Sequence, residues 1–319
     1  MNRMAPKARP LRVPHALGAA LGLLVDARFG EPTLDPHPVA AFGSAMTAYE
    51  RRGYADTRTA GTGHAVVGVG LGLAAGRLAG AGVVATAATT ALAVAGHGLA
   101  EAALTVGGAL ERGDLDGARA ALPALVGRDP TDLDDQAIAR AVVESVAENT
   151  VDAVVAPACW AAVAGAPGAL GYRAVNTLDA MVGHRSPRYA RYGWASARLD
   201  DVANWAPARL TALLVMAVRP GAAGAVLRTV RRDAPAHPSP NSGVAEAAFA
   251  AALGLRLGGE SRYGDRVEVR PPLGDGRAPG AADIDDAVEL AGDVGLALAG
   301  LLVVAGTAQS VRRLRRWRP

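Results

Sequence analysis

An all-α, multi-pass membrane fold follows from three features of this 319-residue sequence. Half of the residues are hydrophobic but only 4% are aromatic, so Ala and Gly carry much of the apolar content and let helices approach closely. Residues 61–104 form one long apolar stretch whose only ionisable side chains are His64, Arg77, His97 and Glu101. Shorter apolar segments recur at 13–25, 153–170, 206–218 and 294–309, separated by segments rich in Asp, Arg, Asn and His.

Residues 1–12 are a basic tail. The segment 13–25 is too short to cross a bilayer comfortably and ends at Asp26; the basic start resembles a leader, but no small-residue cleavage site follows. At ~1.5 Å per residue, 61–104 has room for a transmembrane hairpin turning near 77–82. A soluble hairpin would show a polar face, and this one hardly does. Pro157, Gly165, Pro167 and Gly168 break 153–170, which predicts a bent or re-entrant helical hairpin. A helix at 206–218 is predicted to start at Pro207 and stop at Arg219-Pro220. The last helix, 294–309, precedes a basic tail (310–319) with Arg312, Arg313, Arg315, Arg316 and Arg318, which puts that end in the cytoplasm. Residues 258–282 read as a long loop with a short strand at Val267-Glu268-Val269. The whole chain, 1–319, reads as a single membrane-embedded helical domain with a motif-rich region at 130–264.

Composition removes several function classes. The 33 basic residues nearly balance 30 acidic ones, and no basic stripe is interleaved with aromatics, so no nucleic-acid partner is expected. Cys159 is the only cysteine, which rules out an intrachain disulfide and a zinc–cysteine cluster. The one lysine, Lys7, lies in the Pro-flanked tail, so there is no Walker P-loop. Any nucleotide phosphate must be held by Arg, a metal or helix N-termini.

Chemistry concentrates in the polar segments. Thr131 or Asp132 can cap a helix on which Gln136, Arg140, Glu144, Glu148 and Asp152 recur every four residues. Arg140 and Glu144 can form a plain surface ion pair, but three like charges one turn apart repel unless a cation lies between them, and Mg²⁺ suits such a face. Asp200-Asp201, followed by Asn204, forms either a metal–phosphate site or an acidic first turn before Pro207. Just upstream lie Asn176, Asp179, Arg185, Arg188 and Arg191, and then Arg198, a concentration of Arg that suits a multi-anionic ligand. The Pro-rich run from Asp233 through His237 to Asn241-Ser242-Gly243 either caps a helix or exposes its N–H groups as a phosphate seat. Asp35-Pro-His37-Pro-Val39 is a rigid turn.

Several of these runs resemble one known family. They are Glu144-Ser-Val-Ala-Glu-Asn-Thr-Val-Asp152 followed by Val154-Val-Ala-Pro157, then Ala174-Val-Asn-Thr-Leu-Asp-Ala-Met-Val-Gly183. Gly193-Trp-Ala-Ser-Ala-Arg-Leu-Asp-Asp-Val-Ala-Asn204, Pro207-Ala-Arg-Leu-Thr211 and Arg232-Asp-Ala-Pro-Ala-His-Pro-Ser-Pro-Asn241 complete the set, with His37-Pro-Val39 early in the chain. Together they resemble the signature of the CobD/CbiB family of cobalamin biosynthesis, in consistent order over residues 26–264. Where the family pattern has Ser, Gly, Ser and Tyr, this chain has Val151, Ala153, Ala180 and His184, departures that bear on which amino-alcohol phosphate is preferred.

The resemblance implies a multi-pass protein of the cell membrane with its active site facing the cytoplasm. It implies ATP- and Mg²⁺-dependent joining of a corrinoid propionate, that of adenosylcobyric acid, to (R)-1-amino-2-propanol O-phosphate, giving adenosylcobinamide phosphate. Such phosphoryl transfer needs positioning and charge neutralisation more than covalent help. Candidate metal carriers are Glu144, Asp152, Asp200, Asp201 and Asn204; candidate proton acceptors are Glu148 and Asp179. Asn149, Asn176, Arg188, Arg198, His237 and Asn241 are the candidates for substrate and phosphate binding, with His237 and Asn241 at the aminopropanol phosphate. Membrane lipid is an expected partner, and homo-oligomerisation is left open. Two alternatives remain at this point: an Mg²⁺-dependent membrane prenyltransferase, which also suits Asp200-Asp201, and a non-enzymatic AmpE-like membrane regulator, which predicts decayed acidic motifs.

Overall fold

The computed structural model describes residues 15–32, 34–127, 129–184, 186–263 and 266–315; the basic tail read at 1–12, Arg185, and the arginines beyond 315 lie outside them. The fold is all-α, as the composition predicts. A first group of helices comprises α1 (His15–Phe29), α2 (Pro38–Gly53), α3 (Arg58–Leu78), α4 (Val83–Ala93), α5 (Gly96–Glu111) and α6 (Leu115–Ala121). The motif-rich half begins with α7 (Asp135–Asn149), which runs through a π-helical segment (Thr150–Val155) into α8 (Ala156–Ala164). Next come α9 (Ala166–Leu178), a second π segment (Asp179–Gly183), α10 (Trp194–Val218), α11 (Ala223–Asp233) and α12 (Ser242–Leu253). An antiparallel hairpin, β1 (Leu257–Tyr263) and β2 (Arg266–Leu273), precedes the long α13 (Ala282–Arg315).

Among the described residues two stretches are long and apolar enough to cross a membrane: Val83–Glu111, which joins α4 to α5, and Ala282–Ala308 within α13. The pair Trp194–Val218 and Pro220–Ala236 passes the same test only as a unit bent by 111°. The turn expected near 77–82 falls between α3 and α4, but α3 itself is not among the spanning-capable helices. Its glycines serve packing instead. A Cβ at Gly72 would stand 2.6 Å from the Leu170 carbonyl oxygen and 2.7 Å from the Ala174 methyl, so α3 and α9 meet almost backbone to backbone. With few aromatics available, dispersion between closely apposed helices supplies the core.

Several local expectations are corrected. The cap of α7 is Asp134, whose carboxylate accepts from the Ala137 amide at 2.7 Å, while Thr131 is tied to Asp129. Pro207 does not start a helix; it lies inside α10. A proline there removes the amide that would bond the carbonyl four residues earlier, and the Trp160 indole N–H donates to that Ala203 carbonyl instead, at 3.1 Å. The helix does stop before Arg219-Pro220. Residues 258–282 are not all loop, because Gly258 and Gly259 take φ of +83° and +96° at a bulge that lets β1 pair with β2. The strand expected at 267–269 is part of β2.

The α3–α9 contact gives a direct test. Gly72→Val should destabilise the protein by about 1–3 kcal/mol, because neither the Leu170 backbone nor the Ala174 methyl can move aside without separating the helices. Denaturation in detergent measures it, and wild-type stability would mean that the helices do not meet at this point.

Candidate functional site: an acid cluster beside an arginine-lined cavity

The site is organised by the two π segments. A π turn bonds i to i+5 and inserts one extra residue into the helix, so the four-residue period along α7 fails after Glu148. Glu144 and Asp152, expected on one face, therefore diverge. Glu144 is buried at 2% exposure, and its Oε1 accepts the Gly258 amide at 2.9 Å, which ties α7 to β1. It is neither a solvated surface residue nor a neighbour that perturbs Asp152 or Asp179. Asp152, inside the first π segment, instead faces α9 and α10.

There Asp152, Asp179, Asp200 and Glu148 form one cluster. Burial raises the Asp152 carboxyl well above the usual carboxylate range, and repulsion from Asp200, Glu148 and Asp179 raises it further, with Arg173 opposing. Asp179 opens the second π segment and is pushed up to about 7 by burial, then by Asp200, Asp201 and Glu148. Amides bracket the acids. Asn176 donates to Asp152 Oδ2 at 3.4 Å, and Asn204 donates to Asp200 Oδ2 at 3.0 Å. The Tyr172 hydroxyl donates to Asn204 Oδ1 at 2.8 Å and lies 3.3 Å from the Asp152 carbonyl oxygen. Asp200 Oδ1 is buried and makes no hydrogen bond. Asp200 and Asp201 lie beyond the first turn of α10, which holds no acid, so neither is explained as a helix-terminal charge.

A cavity of about 800 Å³ adjoins this cluster between α10, α11 and the Pro-rich run before α12. Its walls are apolar (Leu213, Met216, Val226, Leu227 and Val230 among them), with Arg198, Arg209, Arg231 and His237 supplying positive or donor groups. Arg198 bridges to Asp201 at 3.0 Å. Asn241 links cavity and cluster: its Oδ1 accepts from Arg209 at 2.9 Å, and its Nδ2 donates to the Asp201 carbonyl at 2.8 Å. The Ser242 hydroxyl donates to Glu148 Oε1 at 2.7 Å. Ser239 Oγ accepts from the amides of Asn241 and Ser242, so the start of α12 is less open to a ligand than the sequence suggests. His237 is held by Ser239 through Nδ1, and its Nε2 lies 3.6 Å from the buried Glu246.

The structure thus brings together Glu148, Asp152, Asn176, Asp179, Asp200, Asp201 and Asn204, with Arg198, His237 and Asn241 at the adjoining cavity. Asn149 instead turns back on its own helix, donating to the Ser145 carbonyl at 2.9 Å. Arg188 is engaged elsewhere, bonding Glu50 at 2.9 Å and stacking 4.0 Å over Tyr54. Sequence reasoning missed Tyr172, Arg173, Arg209, Arg231 and Glu246. A polar side chain within an apolar stretch was the available signal for Tyr172, Arg173 and Glu246.

Among the described residues no three His, Cys, Asp or Glu side chains form a ready-made metal cage. A divalent ion that keeps water and bridges phosphate needs only one or two carboxylates. The unsatisfied Asp200 Oδ1 and the mutual repulsion of Asp152 and Asp179 fit such an ion.

A family model described as CobD/Cbib protein matches residues 19–291. A Mycobacterium tuberculosis protein named Cobalamin biosynthesis protein CobD is 51% identical over 284 residues, covering 86% of this chain and 90% of its own. Proteins of the same name from Pelobacter propionicus and Sinorhizobium sp are 43% and 42% identical over 271 and 293 residues, covering 80% and 84% of this chain and 84% and 90% of their own. No solved structure matches.

The titration of Asp179 has a measurable consequence. Its neutral form favours the folded state; that contribution is complete below the ordinary carboxylate pKa near 3.8 and is lost as pH rises through about 7. Asp179→Asn should therefore raise the melting temperature more at about pH 8 than at about pH 4. Equal shifts at both would mean that Asp179 titrates as an ordinary acid.

Proposed function

The chain belongs to the CobD/Cbib family and has a role in cobalamin biosynthesis; we propose that it joins the adenosylcobyric acid propionate to (R)-1-amino-2-propanol O-phosphate, using ATP, to give adenosylcobinamide phosphate. The observation that carries this reading is the buried acid cluster set against a cavity lined by three arginines. Amide formation from a carboxylate needs activation by phosphate, neutralisation of phosphate charge, and a base for the amine proton. Those requirements call for acids and arginines side by side.

Asp200 and Asp152 would hold Mg²⁺, with Asn204 fixing Asp200 and Asn176 fixing Asp152. Mg²⁺ bound there would neutralise phosphate oxygens and align them for in-line transfer. Arg198, Arg209 and His237 would orient the anionic co-substrate from the cavity wall, with Asn241 holding Arg209 in place. Activation transfers a phosphoryl group from ATP to the propionate oxygen. The amine nitrogen then bonds the acyl carbon as inorganic phosphate leaves. Asp179 can take the amine proton, because burial and its acidic neighbours hold its pKa at about 7. Glu148, bonded to Ser242 at 2.7 Å, would position the start of α12 against the cluster. Glu144 and Arg188, committed to Gly258 and Glu50, take supporting roles in this reading. The protein would sit in the cell membrane as a multi-pass enzyme, with lipid around Val83–Glu111 and Ala282–Ala308 and the site facing the cytoplasm.

Membranes bearing the protein, incubated with adenosylcobyric acid, aminopropanol phosphate, ATP and Mg²⁺, should yield the coupled product; its absence under these conditions rejects the reading. Asp200→Asn should raise the Mg²⁺ requirement and lower the rate by on the order of a hundredfold, partly recovered by excess Mg²⁺. Asp201→Asn, which loses chiefly the Arg198 bridge, should show the smaller shift. Mg²⁺ curves for Asp200→Asn that superimpose on wild type would remove the metal from this pair.

A further inference from the structure

A second cavity lies between α1, α5, α13 and the first π segment. It is a partly open pocket of about 200 Å³, lined almost wholly by apolar side chains and glycines, including Leu23, Leu99, Val154, Gly292 and Leu296. One acid breaks the pattern. Asp26 lines this cavity at 3% exposure. Its Oδ2 accepts the amides of Gly96 and His97, at 3.0 and 3.3 Å, where α5 begins. Its Oδ1 is buried and has no hydrogen-bond partner. Among the described residues no Arg or Lys lines the cavity, and His97 is the other titratable side chain on its wall.

Capping explains one oxygen of Asp26 and not the other. A buried carboxylate oxygen left without a partner among apolar side chains is costly. Asn or Ser would cap α5 without placing a charge there. The space is of the order that accepts a single ring, since an apolar cavity of about 150 Å³ holds benzene. A phosphate ester is excluded by the absence of cationic side chains on the wall.

We propose that this cavity is a binding site for a small amphipathic amine, a single apolar ring or short branched chain whose ammonium bonds Asp26 Oδ1. The two spanning-capable stretches contribute α5 and α13 to its walls. The site is separate from the acid cluster, but the two share the π segment: Val154 faces the cavity, while Asp152 belongs to the cluster.

The test uses the full chain in detergent micelles, titrated with para-fluorobenzylamine, para-fluorobenzyl alcohol and para-fluorotoluene and followed by fluorine NMR. The amine should bind saturably and about tenfold or more tighter than the toluene, the gain expected of one charge-assisted hydrogen bond. Asp26→Asn retains an acceptor for the α5 amides and should abolish that preference. Gly292→Leu has open space at its Cβ and fills the cavity, so it should abolish binding of all three probes. Toluene binding as tightly as the amine would make the cavity a plain hydrocarbon site and overturn the proposal. So would an amine preference that survives Asp26→Asn, or amine binding that survives Gly292→Leu. If Asp26→Asn does not fold, the wild-type preference and Gly292→Leu decide together.

Discussion

A helix that widens by one residue shifts its backbone bonds from the fourth to the fifth residue and exposes carbonyls to donors from elsewhere. The segment Thr150–Val155 meets that constraint with partners from distant parts of the chain. The Ala153 carbonyl accepts the Ala95 amide at 2.9 Å, from the break between α4 and α5. The Asp152 carbonyl lies against the Tyr172 hydroxyl on α9. One irregular turn thereby binds a spanning-capable stretch on one side and the helix of the acid cluster on the other. Its side chains follow the same division, with Asp152 turned to the cluster and Val154 to the apolar cavity.

Arginine is used in two ways, and the surroundings of the guanidinium separate them. Arg188 and Arg219 close ion pairs with acids from far along the chain, Glu50 for the first and Glu289 and Asp293 for the second. Arg198, Arg209 and Arg231 border a cavity with apolar walls, and Arg198 also bridges the nearby Asp201. A chain with one lysine has little choice of cation, but a planar guanidinium also holds a fixed geometry against phosphate or carboxylate.

Legibility from sequence followed the range of the interactions. The all-α class was readable because apolar stretches of helical length recur, and the break near 77–82 because Gly punctuates it. Grouping Asp179, Asp200 and Asn204 was also within reach, since each belongs to a polar island between apolar segments. What was not readable depended on departures from ideal geometry. A strict four-residue period placed Glu144 in line with Asp152, although about 3.6 residues per turn already drifts them apart and the π segment changes the phase again. Pro207 looked like a helix start because nothing local reveals that Trp160 satisfies the freed Ala203 carbonyl. The hairpin was obscured because Gly258 and Gly259, ordinarily loop residues, serve as its bulge. Arg188 looked like a ligand binder because its partner, Glu50, is 138 positions away.

The Trp160–Ala203 bond also bears on how α10 can move. Sliding this helix by one turn, roughly 5.4 Å, would carry the Ala203 carbonyl past the indole and break their bond. Axial displacement therefore costs this bond, while bending at Pro207 does not, since the proline already interrupts the ladder of backbone bonds. The half that holds Asp200, Asp201 and Asn204 is thus tied to α8. The half beyond Pro207, which forms a wall of the arginine-lined cavity through Leu213 and Met216, is moored separately, by the buried Ala208, Thr211 and Val215 and by Arg219 pairing with Glu289 and Asp293, so the proline kink joins two independently anchored levers.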